Sequence, residues 1–158
     1  MSGHVDETVG TPTEQPKKGG GGSRVVGIIG IIIGALMVIG GVAAWIGVTI
    51  QLSEENITVS DDAAFMQGQP VTDPLSAWAQ AEVIQKHALE ATGGKTYAEL
   101  DQDDPLRETA ATASYLRTSL FTSIVSYGVA LLAAGTGVIA ILYGWSLLAL
   151  GRLSLIHI

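Results

Sequence analysis

The chain has 158 residues, of which 47% are hydrophobic, with 15 acidic against 8 basic side chains and a formal net charge of -7. That length suits one modest domain, and an acidic balance without a basic patch excludes nucleic acid, because phosphate binding needs clustered Lys and Arg. No cysteine is present, which excludes disulfides, zinc thiolates, iron-sulfur clusters and a thiol nucleophile. The charges are also unevenly spread: Val25 to Ile50 and Thr118 to Gly151 carry none, a pattern foreign to an ordinary soluble globule.

Residues 1–23 combine Pro12, Pro16 and the run Gly19 to Gly22 with too little apolar surface to offset the entropy of ordering, and they read as a disordered cytoplasmic tail. Residues 24–50 read as the first transmembrane helix. Their uncharged part would run about 39 Å as a helix, against a hydrocarbon core of roughly 30 Å. A cleaved signal peptide has a shorter apolar region and no polar tail of this length before it, so an uncleaved signal anchor is expected. Within it, Gly27, Gly30, Gly34 and Gly41 fall within about 60 degrees of arc, and Gly30–Gly34 is a small-xxx-small pair. Such a stripe lets a second backbone approach closely, either the other span or a partner helix.

Residues 51–104 form an acidic loop region. Ile57 to Ser60 has strand-like composition but is too short to make a sheet, and an extended arm is expected. Asp73 and Pro74 read as N-cap and first helical residue of a helix over about 74–92, which Gly93-Gly94 stops. Thr96 and Glu99 form a capping-box pattern for one further short turn. Asp104 and Pro105 then open a helix that meets no breaker: residues 105–118 stand outside the bilayer and 119–151 form the second transmembrane helix. In that span Gly128 and Gly135 are spaced by seven, as are Gly137 and Gly144 on another side, so two faces are open to packing. Trp45 and Trp145 stand at interface-anchor positions on opposite membrane faces. The closing residues 152–158 break the helical pattern and resemble non-native read-through.

Lys17, Lys18 and Arg24 precede the first span and Arg152 follows the second. Residues 51–118 hold 4 bases against 12 acids, a net charge of 4 − 12 = −8. Positive-inside reasoning puts both termini in the cytoplasm and the loop outside. The fold class expected is therefore an all-α membrane protein with two transmembrane helices and a small, mainly helical extracytoplasmic region.

Several patterns touch on chemistry. Gly93-Gly94-Lys95-Thr96 imitates the end of a phosphate-binding loop, yet Leu89 stands where that motif needs Gly, so no nucleotide is expected. Asp101, Asp103 and Asp104 suggest a calcium loop, but Pro105 and Leu106 occupy the positions of its turn, and carboxylates favouring a helix N-terminus explain them as well. His87, with Glu90 on the same helical face, offers a weak metal pair. Neither span carries an ionisable residue, the usual marker of ion and proton pathways.

The residues Ile57 to Ala63, Lys86-His87-Ala88-Leu89, Gly93 to Asp101 and Ser119 to Ser123 resemble those of small actinobacterial two-span membrane proteins that carry the name aromatic ring-opening dioxygenase LigA. The resemblance extends over about residues 24–150. It implies iron-dependent extradiol cleavage of a catechol. The residues themselves provide no catalytic constellation and no cofactor site, and point instead to an association or accessory subunit of a membrane complex. The expected partners are the lipid bilayer and a membrane complex or homo-oligomer; iron at an oligomer interface, using His87 and Glu90, belongs to the dioxygenase alternative.

Overall fold

The structure, a computed structural model, describes residues 21–153. Of the expected tails, residues 1–20 and 154–158 lie outside the described residues, whereas Arg152 and Leu153, expected to leave the helix, continue α3. The described residues form three α-helices and one short 3-10 turn: α1 Gly21–Glu54, α2 Pro74–Ala91, the turn Tyr97–Glu99 and α3 Arg107–Leu153. Two of them, α1 and α3, are long and apolar enough to cross a membrane. The helix α1 begins at Gly21, three residues ahead of the expected start, because nothing in Gly21-Gly22-Ser23 stops a helix already propagating from the apolar run. Its other end overshoots Ile50 to reach Glu54, where Asn56 adopts a left-handed φ of 51° and its Nδ2 donates to the Glu54 carbonyl at 3.0 Å.

Backbones, rather than large side chains, pack α1 against α3. From Gly22 to Ile46 the buried residues are Gly27, Gly34 and Gly41, and from Gly128 to Leu150 they are Ala130, Gly137 and Gly144. A Cβ on Gly34 would lie 2.5 Å from the Gly137 carbonyl oxygen, one on Gly27 2.8 Å from that of Gly144, and one on Gly41 2.6 Å from that of Ala130. The helices are thus antiparallel and touch once every seven residues, the repeat that keeps one seam of a helix facing its neighbour.

Above this seam sits a cap built from residues 47–127. Its arm, 57–71, closes on itself through one antiparallel bridge, Thr58 to Pro70, with Val59 N–H donating to the Gln69 carbonyl and Val71 N–H to that of Ile57, both at 2.9 Å. The arm is extended as expected, and no strand forms among the described residues. Met66 turns the corner at φ 60°, a left-handed conformation uncommon for its type, and its side chain packs against the core. The N-terminus of α2 is fixed by Asp73: its Oδ1 accepts from the backbone N–H of Leu75 at 2.8 Å and of Ser76 at 3.1 Å, while Ser76 Oγ accepts from the Asp73 N–H. Its C-terminus closes on Gly93 and Gly94, both at positive φ, with Gly94 N–H donating to the Leu89 carbonyl at 2.7 Å.

Between these ends α2 is buried on two sides. Ala77 and Ala81 lie about 200 degrees from Ala79 and Val83, and all four are buried, so the helix is sandwiched between the arm and α3. The small side chains bring α2 close to α3, antiparallel to it, with Trp78 edge-on to Phe121 at 5.6 Å and Arg117 reaching Glu82 at 3.8 Å. The start of α3 differs from the expected Pro105. Asp104 Oδ1 accepts from Leu106 N–H and the Asp104 carbonyl from Arg107 N–H, which makes a separate turn, and the first helical bond runs from Ala110 N–H to the Leu106 carbonyl. Beyond that point α3 is continuous for 47 residues.

Candidate functional site

The residue that joins cap to helices is Tyr127, 1% exposed in the core. Its hydroxyl donates to the Thr72 carbonyl at 2.9 Å, and lies 2.8 Å from Thr49 Oγ1. With the phenolic proton committed to a carbonyl, the Thr49 hydroxyl is the donor of that second bond. The Trp45 ring stands edge-on to Tyr127 at 4.6 Å, so α1, α3 and the arm converge on one phenol. Trp45, read from the sequence as an interface anchor, is half-buried and serves this joint as well; Trp145 is 65% exposed on the outer surface of α3. Nothing local to the sequence singled out Tyr127, which is one aromatic in an uncharged run.

The packing glycines divide. Gly27, Gly34 and Gly41 sit at the seam, whereas a Cβ on Gly30 would meet Ala140 O at 3.7 Å, an ordinary contact. The close approach therefore follows the seven-residue spacing rather than the Gly30–Gly34 pair. On α3 the seam uses Gly137 and Gly144; Gly128 and Gly135 face outward with nothing within 4 Å.

His87, the weak metal candidate, contacts the arm rather than a residue of its own helix. His87 Nε2 lies 2.9 Å from Asp62 Oδ2, and Lys86 Nζ approaches the same oxygen at 2.9 Å. The Lys86 hydrogen bond, followed by that of His87, lowers the Asp62 carboxyl to about 2, and Asp62 in turn raises the Lys86 ammonium. This trio ties the arm to α2 across 24 and 25 residues of sequence. An iron site of the two-His, one-carboxylate type needs two imidazoles and a free carboxylate. Here one imidazole meets a carboxylate already held by an ammonium, and among the described residues no three His, Asp or Glu side chains converge. The residues present do not fit that group. Glu99, also lowered, first by the Thr96 backbone N–H and then by its hydroxyl, caps the 3-10 turn.

Two depressions flank the α2–α3 contact. One, about 600 Å³, runs between Ile84, His87 and Ala88 of α2 and Glu108, Ala113 and Leu116 of α3. The other, about 310 Å³, opens on the opposite side beside Lys95, Tyr97 and Arg117. The remaining base, Arg107, stacks over the Tyr97 ring at 4.1 Å and donates to the Leu100 carbonyl. No protein family, no curated protein and no solved structure matches this chain.

Proposed function

We propose that the chain is a two-span membrane protein that works by association, as an accessory subunit holding an acidic helical cap at a fixed height above the bilayer. What supports this reading is the joint at Tyr127, where both long helices and the arm are bonded to one side chain. The register of the seam supports one placement of the bilayer in this reading. Gly27 pairs with Gly144 and Gly41 with Ala130, so Arg24, the last charge before α1 becomes apolar, stands level with about residue 147 of α3. From there to the Trp45–Tyr127 layer is about 20 residues on either helix, or about 30 Å, the thickness of a hydrocarbon core. In this reading the spans are about 25–46 and 126–147, shorter on the loop side than the uncharged runs, and the Ser and Thr of 118–126 stand above the bilayer. Their hydroxyls bond the carbonyls four residues back, as Thr122 to Thr118 and Ser126 to Thr122, both at 2.8 Å.

Positive-inside reasoning adds that the termini are cytoplasmic and the cap extracytoplasmic. The acidic cap favours basic partners and repels acidic ones. The ring-opening reaction implied by the family resemblance would need iron held at an interface between copies of this chain, with His87 and Glu90 of neighbouring protomers as its ligands.

Native mass spectrometry of the protein, mildly solubilised from its host membranes, tests the reading. A second chain retained in fixed stoichiometry is expected. A monomer that brings no partner overturns it, and a homo-oligomer carrying stoichiometric iron replaces it with the ring-opening reading.

A further inference from the structure

We propose that the groove between α2 and the first turns of α3 docks a basic, amphipathic helical segment of a partner protein. The proposal rests on the accessory-subunit reading and names the surface through which it acts. The groove floor is apolar and made of small side chains flanked by larger ones: Ala88 and Ala113 between Ile84 and Leu116. Its span, Ile84 to Ala91 on one wall and Glu108 to Leu116 on the other, covers about two helical turns. That length receives anchor side chains at i, i+3 or i+4, and i+7 of a docked helix.

Charge selects the occupant. Glu108 lines the rim and Asp103 and Asp104 lead into the lining Pro105. None of the cap's four Lys and Arg side chains lines the groove: Lys86 is turned to Asp62, Arg107 to Tyr97, Arg117 to Glu82 and Phe121, and Lys95 borders the opposite depression, while His87, which does line it, has its Nε2 2.9 Å from Asp62 Oδ2. An apolar floor under an anionic rim with its local cations engaged elsewhere complements a helix with Leu-type anchors and Lys or Arg at their flanks. Lipid is not the occupant, because Leu116, the lining residue nearest the spans, stands about 16 Å along α3 from the Tyr127 layer.

The test uses the full chain in phosphatidylcholine nanodiscs and three fluorescein-labelled probes: a Leu/Lys amphipathic peptide of about four turns, its Leu/Glu counterpart and oligolysine. Anisotropy is corrected for empty nanodiscs. Saturable binding of the Leu/Lys peptide alone is expected, weakened about tenfold or more by Thr112→Trp, which fills the groove, and by Glu108→Lys, which reverses its rim. Both positions are exposed, and unchanged circular dichroism confirms that the variants fold. No Leu/Lys binding above empty nanodiscs, equal binding of oligolysine, or indifference to Thr112→Trp overturns the proposal. Native mass spectrometry of the Thr112→Trp protein from host membranes separates the two readings. A partner retained by the variant defeats the groove and leaves the accessory subunit standing, whereas a wild-type chain without any partner defeats the accessory subunit itself.

Discussion

The paired spans and the cap are held together by different physics. Within the seam the buried residues are glycines and one alanine, and attraction comes from backbone meeting backbone. In lipid no solvent drives apolar side chains together, so dispersion at close approach decides. The cap buries Val59, Val71, Val83, Leu52, Leu100 and Leu120, as a core driven by water would, and fixes its helix ends with side-chain caps. The difference teaches where each region is vulnerable: the spans to added volume, the cap to lost hydrogen bonds and broken helix.

The most damaging single change should be Ala113→Pro. It removes an intrahelical bond in the second turn of α3 and costs about 3 kcal/mol or more. Limited proteolysis should then cut the cap while the paired spans stay protected; an intact cap would show that α3 is not one continuous helix there. Next in size, Gly34→Leu forces a side chain into the Gly137 carbonyl, at about 1 to 3 kcal/mol. Gly135→Leu, where nothing lies within 4 Å, should be near neutral. Unfolding in mixed micelles compares them, and equal behaviour of the two variants would refute the seam.

Tyr127→Phe keeps the ring against Trp45 but strands the Thr72 carbonyl and the Thr49 hydroxyl, for about 1 to 2 kcal/mol. Hydrogen exchange should accelerate over residues 68–73 and leave the seam unchanged. The smallest effect concerns the arm. Asp62 has its folded carboxyl lowered from 3.8 to about 2, so its ion pair with Lys86 is fully present above pH about 4 and is lost as pH falls towards 2. Wild type should show arm cleavage by an acid-active protease rising through that window, and Asp62→Asn should already be cleaved at pH 5. No difference between the two would mean the trio does not hold the arm.

Much of this architecture is legible in the sequence because its signals are local. Uncharged runs mark the two long helices without setting their ends, Asp73-Pro74 and Gly93-Gly94 bracket α2, and Thr96 with Glu99 marks the 3-10 turn. The site is less legible. Glycines repeat by seven on two faces of α3, and no pattern within one helix tells which face turns towards α1, so Gly128 and Gly135 looked as eligible as Gly137 and Gly144. His87 looked partnered with Glu90 on its own helix, whereas its contact is Asp62, 25 residues away. Tyr127 reaches Thr72 across 55 residues, and an uncharged run hides a phenol whose partners are fixed only once the chain has folded.

The unbroken course of α3 makes the chain a lever. Between Tyr127 and Arg107 lie 20 residues of rigid helix, an arm of about 30 Å whose far end bears the groove. Bilayer thickness and neighbouring helices set how far a spanning helix leans. In the two-span reading, a lean of about 10 degrees would carry the tip sideways by about 5 Å, and with the arm and α1 fastened at Tyr127 the acidic tip would travel as one piece.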